Sequence, residues 1–337
     1  MFIHYIKIAL RNLWKYKNQT LISIMGLAVG FTCFALATLW IVYELTYDSF
    51  HKNAQQMYVV YIPHTSNPTG YSRLTPYSLA AYLKETFPEV ANATPLNSSA
   101  RGIRMTVEGT EVTALSLTAD SSFLRMFDVK IIEGNMDFLI HDSKLAITQG
   151  KAKQLFGNEH PIGKTVVSGG GSKEICAIVS GMSKQSNYPF DFIQAFPANY
   201  MASNAQWRIN VSGTMIELFP GTNIETFEKK LYDHETGQER GYINKMKIKP
   251  LTKLHYTDPD IERNVQFRHI LIFAVSGFLV ILCSLFNYLT LFMSRFRIRQ
   301  KELALRMVCG ASERSLLTML WLNLSSRCCL LSCWAVV

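Results

Sequence analysis

Two long uncharged apolar runs constrain this chain more than any other feature. The first extends from Leu21 to Tyr43, and no charged residue occurs between Lys17 and Glu44. The second extends from Ile270 to Ser294, with Asn287 as its most polar interior residue. Each run is long enough for the ~20 residues that cross the apolar core of a bilayer. The sequence therefore predicts a membrane protein with two α-helical spans.

A secretory signal peptide is the alternative interpretation of the first run. The segment Ala35-Leu36-Ala37 resembles the small-residue site at which such peptides are cleaved. Apolar residues continue beyond it through Trp40-Ile41-Val42, which favours a span. Within this span Gly26 and Gly30 lie four residues apart, a spacing typical of close helix–helix packing. Glycines that face lipid are the alternative.

The excess positive charge lies beside the two apolar runs. The formal net charge is +9, yet residues 46–268 carry 23 bases against 22 acids. Residues 1–20 carry four bases and no acid, and residues 294–314 carry six bases and two acids. Basic flanks mark the cytoplasmic side of a span, so we expect both ends inside the cell and residues 46–268 outside it. The near-neutral middle offers no basic stripe for a nucleic acid.

The segment before the first span has helical periodicity. Phe2, Ile6, Ala9, Leu10 and Leu13 recur at helical spacing, and the bases fall between them. This pattern predicts an amphipathic helix that lies on the inner membrane surface. A short cytosolic helix packed on a partner is the alternative.

The external region alternates strand-like and helix-like segments, which predicts an α+β domain. We expect two lobes, with the second near residues 181–213. The predicted strands are residues 57–62, 104–107, 113–117 and 145–148, with 165–167 and 175–179 as a hairpin joined through Gly169-Gly170-Gly171. The predicted helices are residues 78–87, 151–156 and 224–231.

No motif in the chain predicts catalysis, a cofactor or a metal. The segment from Gly157 to Thr165 ends like a phosphate-binding loop, but it has five residues between its glycines and follows a helical pattern. Cys176 is the only external cysteine, so no disulfide is expected within the domain. Cys328, Cys329 and Cys333 lack the paired spacing of a zinc site. We interpret the last residues as an altered reading frame or a truncation, and the chain as a non-catalytic subunit.

The basic stretch after the second run predicts a short helix that stops at a glycine. Glu302 to Val308 have a helical pattern, Gly310 suits a helix C-terminus, and Ser312 suits a new N-terminus. A rigid charged helix–turn–helix at the membrane is able to pass force between a cytosolic partner and the spans. An ordinary basic anchor is the alternative.

The string RQKELALRMVCGASERSLL resembles the signature that follows the second span in MacB/FtsX-type ABC transporter permeases. The N-terminal ALRNLWKYKNQTLISIMGLAVG and the internal YDSFHKNAQQMYVV, FPEV, FLRMFDVKIIEGN, KQLFGNEHPIGKTV and IKPLTKLHY are similar to the same family and its MacB-like periplasmic core domain. The resemblance implies contact with an ABC ATPase subunit by Arg299, Lys301, Glu302, Arg306, Gly310, Ala311 and Ser312.

The resemblance also implies a permease without a nucleotide site, paired as a homodimer or with a second permease. A periplasmic adaptor or outer-membrane protein is a further expected partner, and movement of the periplasmic domain would drive export or mechanotransmission. An FtsX-like regulator of a cell-wall hydrolase and a membrane-tethered sensor are the alternatives. The expected organisation is an amphipathic helix at 1–20, a span at 21–45, a periplasmic core domain at 46–268, a span at 269–294, a coupling region at 295–314 and an incomplete third span at 315–337.

Overall fold

The computed structural model describes residues 17–65, 67, 69–99, 101–168, 171–198, 207, 209–257 and 266–308. They divide into two units. One contains the apolar helices, up to Val42 and from Phe267, and the other is the domain Tyr43–Gln266. In the described ranges the α-helices are α1 (Lys17–Leu45), α2 (Leu79–Thr86), α3 (Ser121–Met126), α4 (Gln149–Phe156), α5 (Ile224–Asp233), α6 (Leu251–Thr257) and α7 (Phe267–Val308).

Both apolar runs form helices that are long and apolar enough to cross a membrane, over Ile24–Leu45 in α1 and Phe267–Leu291 in α7. Helix α7 continues without a break through the basic stretch to Val308, so the predicted second span and the described part of the coupling region are one helix. Residues 278–308 contain neither glycine nor proline, the residues that most readily interrupt a helix. The predicted amphipathic helix up to residue 16 and the third span lie outside the described residues.

The domain is built on one mixed β-sheet. Its described strands are β1 (Met57–Pro63), β2 (Tyr71–Ser72), β3 (Leu74–Pro76), β4 (Val90–Ser98), β5 (Ile103–Val107), β6 (Thr110–Ala114), β7 (Ser116–Ala119), β8 (Ile131–Gly134), β9 (Lys144–Thr148), β10 (Thr165–Ser168), β11 (Gly171–Val179), β12 (Phe192–Gln194), β13 (Asn210–Leu218) and β14 (Lys247–Pro250). Short 3₁₀ turns lie at Ala54–Gln56, Met136–Leu139 and Gln238–Arg240.

The strand order is β14-β1-β13-β4-β7-β12-β9-β11-β10-β5-β6, with β2 on β1, β3 on β13 and β8 on β11. Among the described strands, the pairs β9–β11 and β7–β12 are parallel and the other pairs are antiparallel. The first and last strands of the domain are neighbours, because β1 pairs with β14 in the register Tyr58↔Pro250. The chain therefore enters and leaves the domain on adjacent strands.

Strand β1 shows why the sheet is covered on both faces. Its side chains alternate between two faces with period two. Met57, Val59 and Tyr61 belong to one buried cluster, together with residues of α3 and α6. Tyr58 and Val60 belong to a second cluster, together with residues of α2 and α5. A strand buried on both faces reads as a continuous apolar run, as MYVVYI does.

Most predicted elements of the domain are present, and two expectations differ from the structure. The predicted strand 113–117 is two strands, because the Leu115 backbone leaves the β5–β6 hairpin and bonds to Asp191 in both directions (Leu115 N to Asp191 Oδ2 at 2.9 Å, Asp191 N to Leu115 O at 2.8 Å). The described residues between 181 and 213 do not form a second lobe. They contribute β12 and the start of β13, and both strands pair on two sides within the sheet.

Candidate functional site

The predicted ATPase-contacting residues fall at the end of the described chain. Four of them lie in the last third of α7, and the structure describes their backbone as helical. Three lie beyond the described residues. In order along the chain they are Arg299, Lys301, Glu302 and Arg306 in α7, followed by Gly310, Ala311 and Ser312 outside the described ranges.

The two glycines predicted to pack against a helix face α7 within the unit of apolar helices. A Cβ atom added to Gly26 would lie 2.9 Å from Asn287 Nδ2, and one added to Gly30 would overlap Ser284 Oγ. Farther along, a Cβ added to Gly277 would lie 3.1 Å from Ala37 Cβ. Small residues thus line the contact between α1 and α7, as expected where helix backbones approach closely.

The segment that resembles a phosphate-binding loop joins helix α4 to strand β10. A phosphate-binding loop requires the reverse order, a strand followed by a helix. Its lysine is already engaged, because Lys164 Nζ donates to Glu108 Oε1 at 2.6 Å and to Glu159 Oε2 at 2.5 Å. These hydrogen bonds raise the pKa of Lys164 and keep it charged. The segment is a turn fixed by ion pairs.

A buried polar network lies just beyond the end of α1, with Asp48 at its centre. Asp48 is fully buried and has a left-handed backbone (φ 54°), which Asp and Asn adopt more readily than other side chains. Its carboxylate accepts hydrogen bonds from Ser186 Oγ at 2.6 Å, Asn187 N at 3.1 Å and Asn187 Nδ2 at 2.6 Å. Its backbone N donates to the Gln185 carbonyl at 3.0 Å. The turn at residues 185–187 is thereby fixed to the segment that follows α1.

His255 of α6 joins this network to the last turn of α1. Its Nδ1 lies 3.0 Å from Asn187 Oδ1, and its Nε2 lies 2.7 Å from Glu44 Oε2. The Tyr47 ring stacks on the imidazole, with centroids 3.6 Å apart and planes within 4°. His255 is 1% exposed and Glu44 is 7% exposed. We call Glu44, Asp48, Ser186, Asn187 and His255 the helix-end network.

Hydrogen-bond roles identify donors and acceptors in the helix-end network. Asn187 donates through Nδ2 to Asp48, so its Oδ1 is the acceptor and His255 Nδ1 carries a hydrogen. The other ring nitrogen, Nε2, faces the Glu44 carboxyl group. The three donors to Asp48 offset the cost of burying its carboxyl group.

Gln185 completes the attachment by binding the end of the helix. The last carbonyl groups of a helix have no partner inside it. Gln185 Nε2 donates to the Tyr43 carbonyl at 2.6 Å and to Thr46 Oγ1 at 2.7 Å. A single turn of the domain therefore holds both a carbonyl group of α1 and the carboxylate that follows the helix.

The helix-end network is a rigid connection between distant parts of the domain chain. Among the residues that the structure describes, no group of three or more His, Cys, Asp and Glu side chains is placed to bind a metal. The network instead links residues 211 positions apart, at the entry and exit of the domain, through buried and directional bonds. Removing one partner of such a buried pair typically costs ~3–5 kcal/mol. The helix-end network therefore resists separation of the segments that it connects.

Sequence reasoning did not find this network. Glu44 was visible only as the charge that closes the first apolar run, and Asp48 and His255 lay inside strings noted for resemblance alone. Asp48 follows a tyrosine and precedes Ser49, a polar signal for a turn after the helix. Nothing in the local sequence pairs it with Ser186 and Asn187, which lie 138 and 139 positions away.

The fold is similar to that of known permease domains. A domain of a putative permease from Porphyromonas gingivalis has a TM-score of 0.50 at 18% identity, over 64% of this chain and 100% of that one. The periplasmic region of MacB from Actinobacillus actinomycetemcomitans has a TM-score of 0.45 at 15% identity, over 61% and 94%. The extracellular domain of the noncanonic ABC-type transporter YknZ from Gram-positive bacteria has 0.43 at 14%, over 57% and 99%.

The first of these similarities shows that the fold is the mixed α/β fold of that domain. The family model of the MacB-like periplasmic core domain matches residues 20–233, more than half of the chain. The chain therefore belongs to the family of permeases with a MacB-like periplasmic core domain, a component of ABC transporters, and the resemblance read from the sequence is confirmed. The comparison with curated proteins found no match.

Proposed function

We propose that this chain is a permease subunit that converts ATP hydrolysis by a separate ABC ATPase into movement of its periplasmic domain. In this proposal α1 and α7 cross the inner membrane, both of their outer ends face the periplasm, and residues 46–268 lie outside. Length, composition and the basic flanks of both helices support this topology. The chain itself performs no catalysis.

The helix-end network carries the proposal. A helix that moves its attached domain needs a connection that does not yield, because a flexible linker would absorb the motion. Here the last turn of α1 is held by Gln185 at the Tyr43 carbonyl and by His255 at the Glu44 carboxylate. Asp48 then binds the turn at residues 185–187. Movement of α1 is in this way transmitted to both ends of the domain chain.

We propose that the basic part of α7 is the region that receives force from the ATPase. Because α7 runs without a break from Phe267 to Val308, a push on its cytoplasmic end acts along one rigid rod. The family generally has an ABC ATPase partner. We propose that Arg299, Lys301, Glu302 and Arg306, with Gly310, Ala311 and Ser312, contact it. A second copy or a paired permease, and a periplasmic adaptor or outer-membrane protein, complete the proposed assembly.

The first test is recovery of the ATPase. The tagged full chain is purified from its own membranes in mild detergent, and the co-purifying ATPase is assayed. We expect ATPase activity with the native chain and its loss with Arg306→Glu. Arg104→Glu, an exposed charge reversal in the domain, is the matched control and should retain the ATPase. Absence of an ATPase from the native preparation would contradict the proposal and favour a sensor.

The second test asks whether ATP moves the domain through the network. Hydrogen–deuterium exchange of the purified complex is compared with and without ATP. We expect ATP to change exchange in residues 43–52 and 185–188, and the change to vanish in Glu44→Leu/His255→Leu. Lys153→Gln, which changes an exposed lysine of α4, should respond like the native chain. An unchanged ATP response in the double variant would show that the network serves stability alone.

A further inference from the structure

Asn287 of helix α7 carries an amide group that no described part of the chain binds. Its side chain is exposed, and it forms no hydrogen bond with any residue that the structure describes. It lies within Phe267–Leu291, the part of α7 that is long and apolar enough to cross a membrane. An amide that enters an apolar medium without a hydrogen bond costs free energy. The proposed coupling through α7 does not use this group.

The neighbouring hydroxyl groups of α7 find partners within the helix. Ser276 Oγ donates to the Ile272 carbonyl at 2.7 Å, and Thr290 Oγ1 donates to the Phe286 carbonyl at 2.8 Å. A hydroxyl group is satisfied in this way by a carbonyl four residues earlier in the same helix. The Asn287 amide carries two N–H donors and an acceptor oxygen, and α7 satisfies none of them. Its partner has to come from outside the helix.

Helix α1 does not supply that partner. A Cβ atom added to Gly26 would lie 2.9 Å from Asn287 Nδ2, so the amide lies against a residue that has no side chain. The contact between α1 and α7 runs through Ser284 and Gly277 on a neighbouring side of α7. Because each residue advances a helix by about 100°, Asn287 lies about 60° around α7 from Ser284 and about 80° from Gly277. It therefore stands at the edge of this contact, on a side of α7 that is exposed.

The side of α7 that carries Asn287 suits the close approach of a second helix. Cys283 and Thr290 lie four residues before and three residues after Asn287, so helical geometry puts them on the same side, and both are exposed. Short side chains let helix backbones approach closely in a membrane, where Asn side chains form hydrogen bonds between helices. Two carboxamides are complementary, because the N–H of each donates to the oxygen of the other. A two-fold axis parallel to α7 brings the same residue of two copies together.

We propose that a second copy of this chain packs on this side of α7, and that the two Asn287 amides hydrogen-bond to each other within the membrane. The occupant is a second copy because the amide is complementary to itself, and because two copies inserted in the same direction place Asn287 at the same depth. The inference rests on the proposed membrane topology, and it assigns the surface through which the proposed second copy binds.

Disulfide cross-linking tests the position of the contact. The full chain keeps Cys283 alone, with the other six of its seven cysteines replaced by alanine, and is oxidised with copper phenanthroline in its own membranes. The positional control lacks Cys283 as well and carries Leu285→Cys, at an exposed position about 160° around the helix from Asn287. We expect a covalent dimer of the chain through Cys283 and none through position 285.

The affinity of the dimer tests the hydrogen bonds. Energy transfer between donor-labelled and acceptor-labelled chains is measured in vesicles at decreasing protein-to-lipid ratios. Loss of two hydrogen bonds between membrane helices weakens a dimer by about eightfold or more, and we expect this increase in Kd for Asn287→Leu. Asn287→Gln keeps the amide and should recover part of the affinity. Thr290→Val changes a hydroxyl on the same side that is bonded to its own helix, and it should leave the Kd unchanged.

The outcomes separate this inference from the proposed function. Equal Kd values for the native chain and Asn287→Leu, a dimer through position 285 instead of Cys283, or cross-links from Cys283 only to a different protein would overturn the inference. A chain that stays monomeric in vesicles but still recovers the ATPase would overturn the inference alone, and the proposed function would stand. A chain that leaves the vesicles at alkaline pH would contradict the membrane topology, and the inference with it.

Discussion

Replacing one member of the Glu44–His255 pair should destabilise the domain far more than replacing both members. His255→Leu leaves Glu44 buried without its partner, and Glu44→Leu leaves the ring nitrogen of His255 buried without its own. Loss of one partner of a buried pair costs ~3–5 kcal/mol, whereas replacing both by apolar groups is often close to neutral. The double variant still leaves the side-chain oxygen of Asn187 without its donor, for which we allow ~1–3 kcal/mol.

The expected coupling energy follows from these numbers. Two single variants at ~4 kcal/mol each and a double variant at ~2 kcal/mol give an interaction of several kcal/mol, well above the ~0.5 kcal/mol within which independent sites add. The assay is hydrogen exchange of the most protected amides of β1 and α6 in the full chain in detergent, with Lys153→Gln as a surface control. Additive single variants, or a cost below ~1 kcal/mol for His255→Leu, would refute the reasoning.

Three further outcomes are expected. Gly30→Leu should lower the free energy of unfolding of the detergent-solubilised chain by ~1–3 kcal/mol, because the leucine overpacks against Ser284. Adding Ser284→Gly should partly restore the stability, and thermal unfolding measures both effects. Asp120→Ala should cost ~1–2 kcal/mol in denaturant unfolding because this carboxylate caps α3, whereas Asp120→Asn retains the accepting oxygen and should cost less. Lys230 lowers the pKa of Glu89 through its hydrogen bond, so this pair stabilises the fold above the ordinary carboxyl range. Stability should fall as pH drops through the lowered pKa, with a flatter profile in Lys230→Gln.

Local periodicity predicted the elements of the domain well. The run MYVVYI is strand β1, and the segment before Phe87 is helix α2, because each pattern reports which faces a segment buries. The predicted hairpin pairing is also present, because β10 pairs antiparallel with β11, and Ser168 lies opposite Gly171. These features depend on neighbouring residues alone.

Features that depend on distant residues were missed. The break at Leu115 arises from Asp191, which lies 76 positions later in the chain. The described residues of the predicted second lobe belong to the sheet instead, because β12 inserts between β7 and β9, a pairing that no local pattern specifies. The helix-end network was missed for the same reason, since its residues come from three separate regions. The break at Leu115, the position of β12 and the helix-end network all depend on contacts between residues far apart in the chain, and local periodicity carries no information about such contacts.

The adjacency of the first and last strands has a consequence for biosynthesis. Strand β1 lies between β13 and β14, so one of its edges stays open until Asn210–Leu218 have been made and the other until the chain near Lys247 has been made. At the usual rates of synthesis the roughly 190 residues from Met57 to Lys247 take about 10–40 s. One of the most apolar strands of the domain therefore lacks both of these neighbours for most of that interval, and lacks β14 until its end. We expect nascent chains to depend on chaperones, and to become resistant to protease only after β14 has been made.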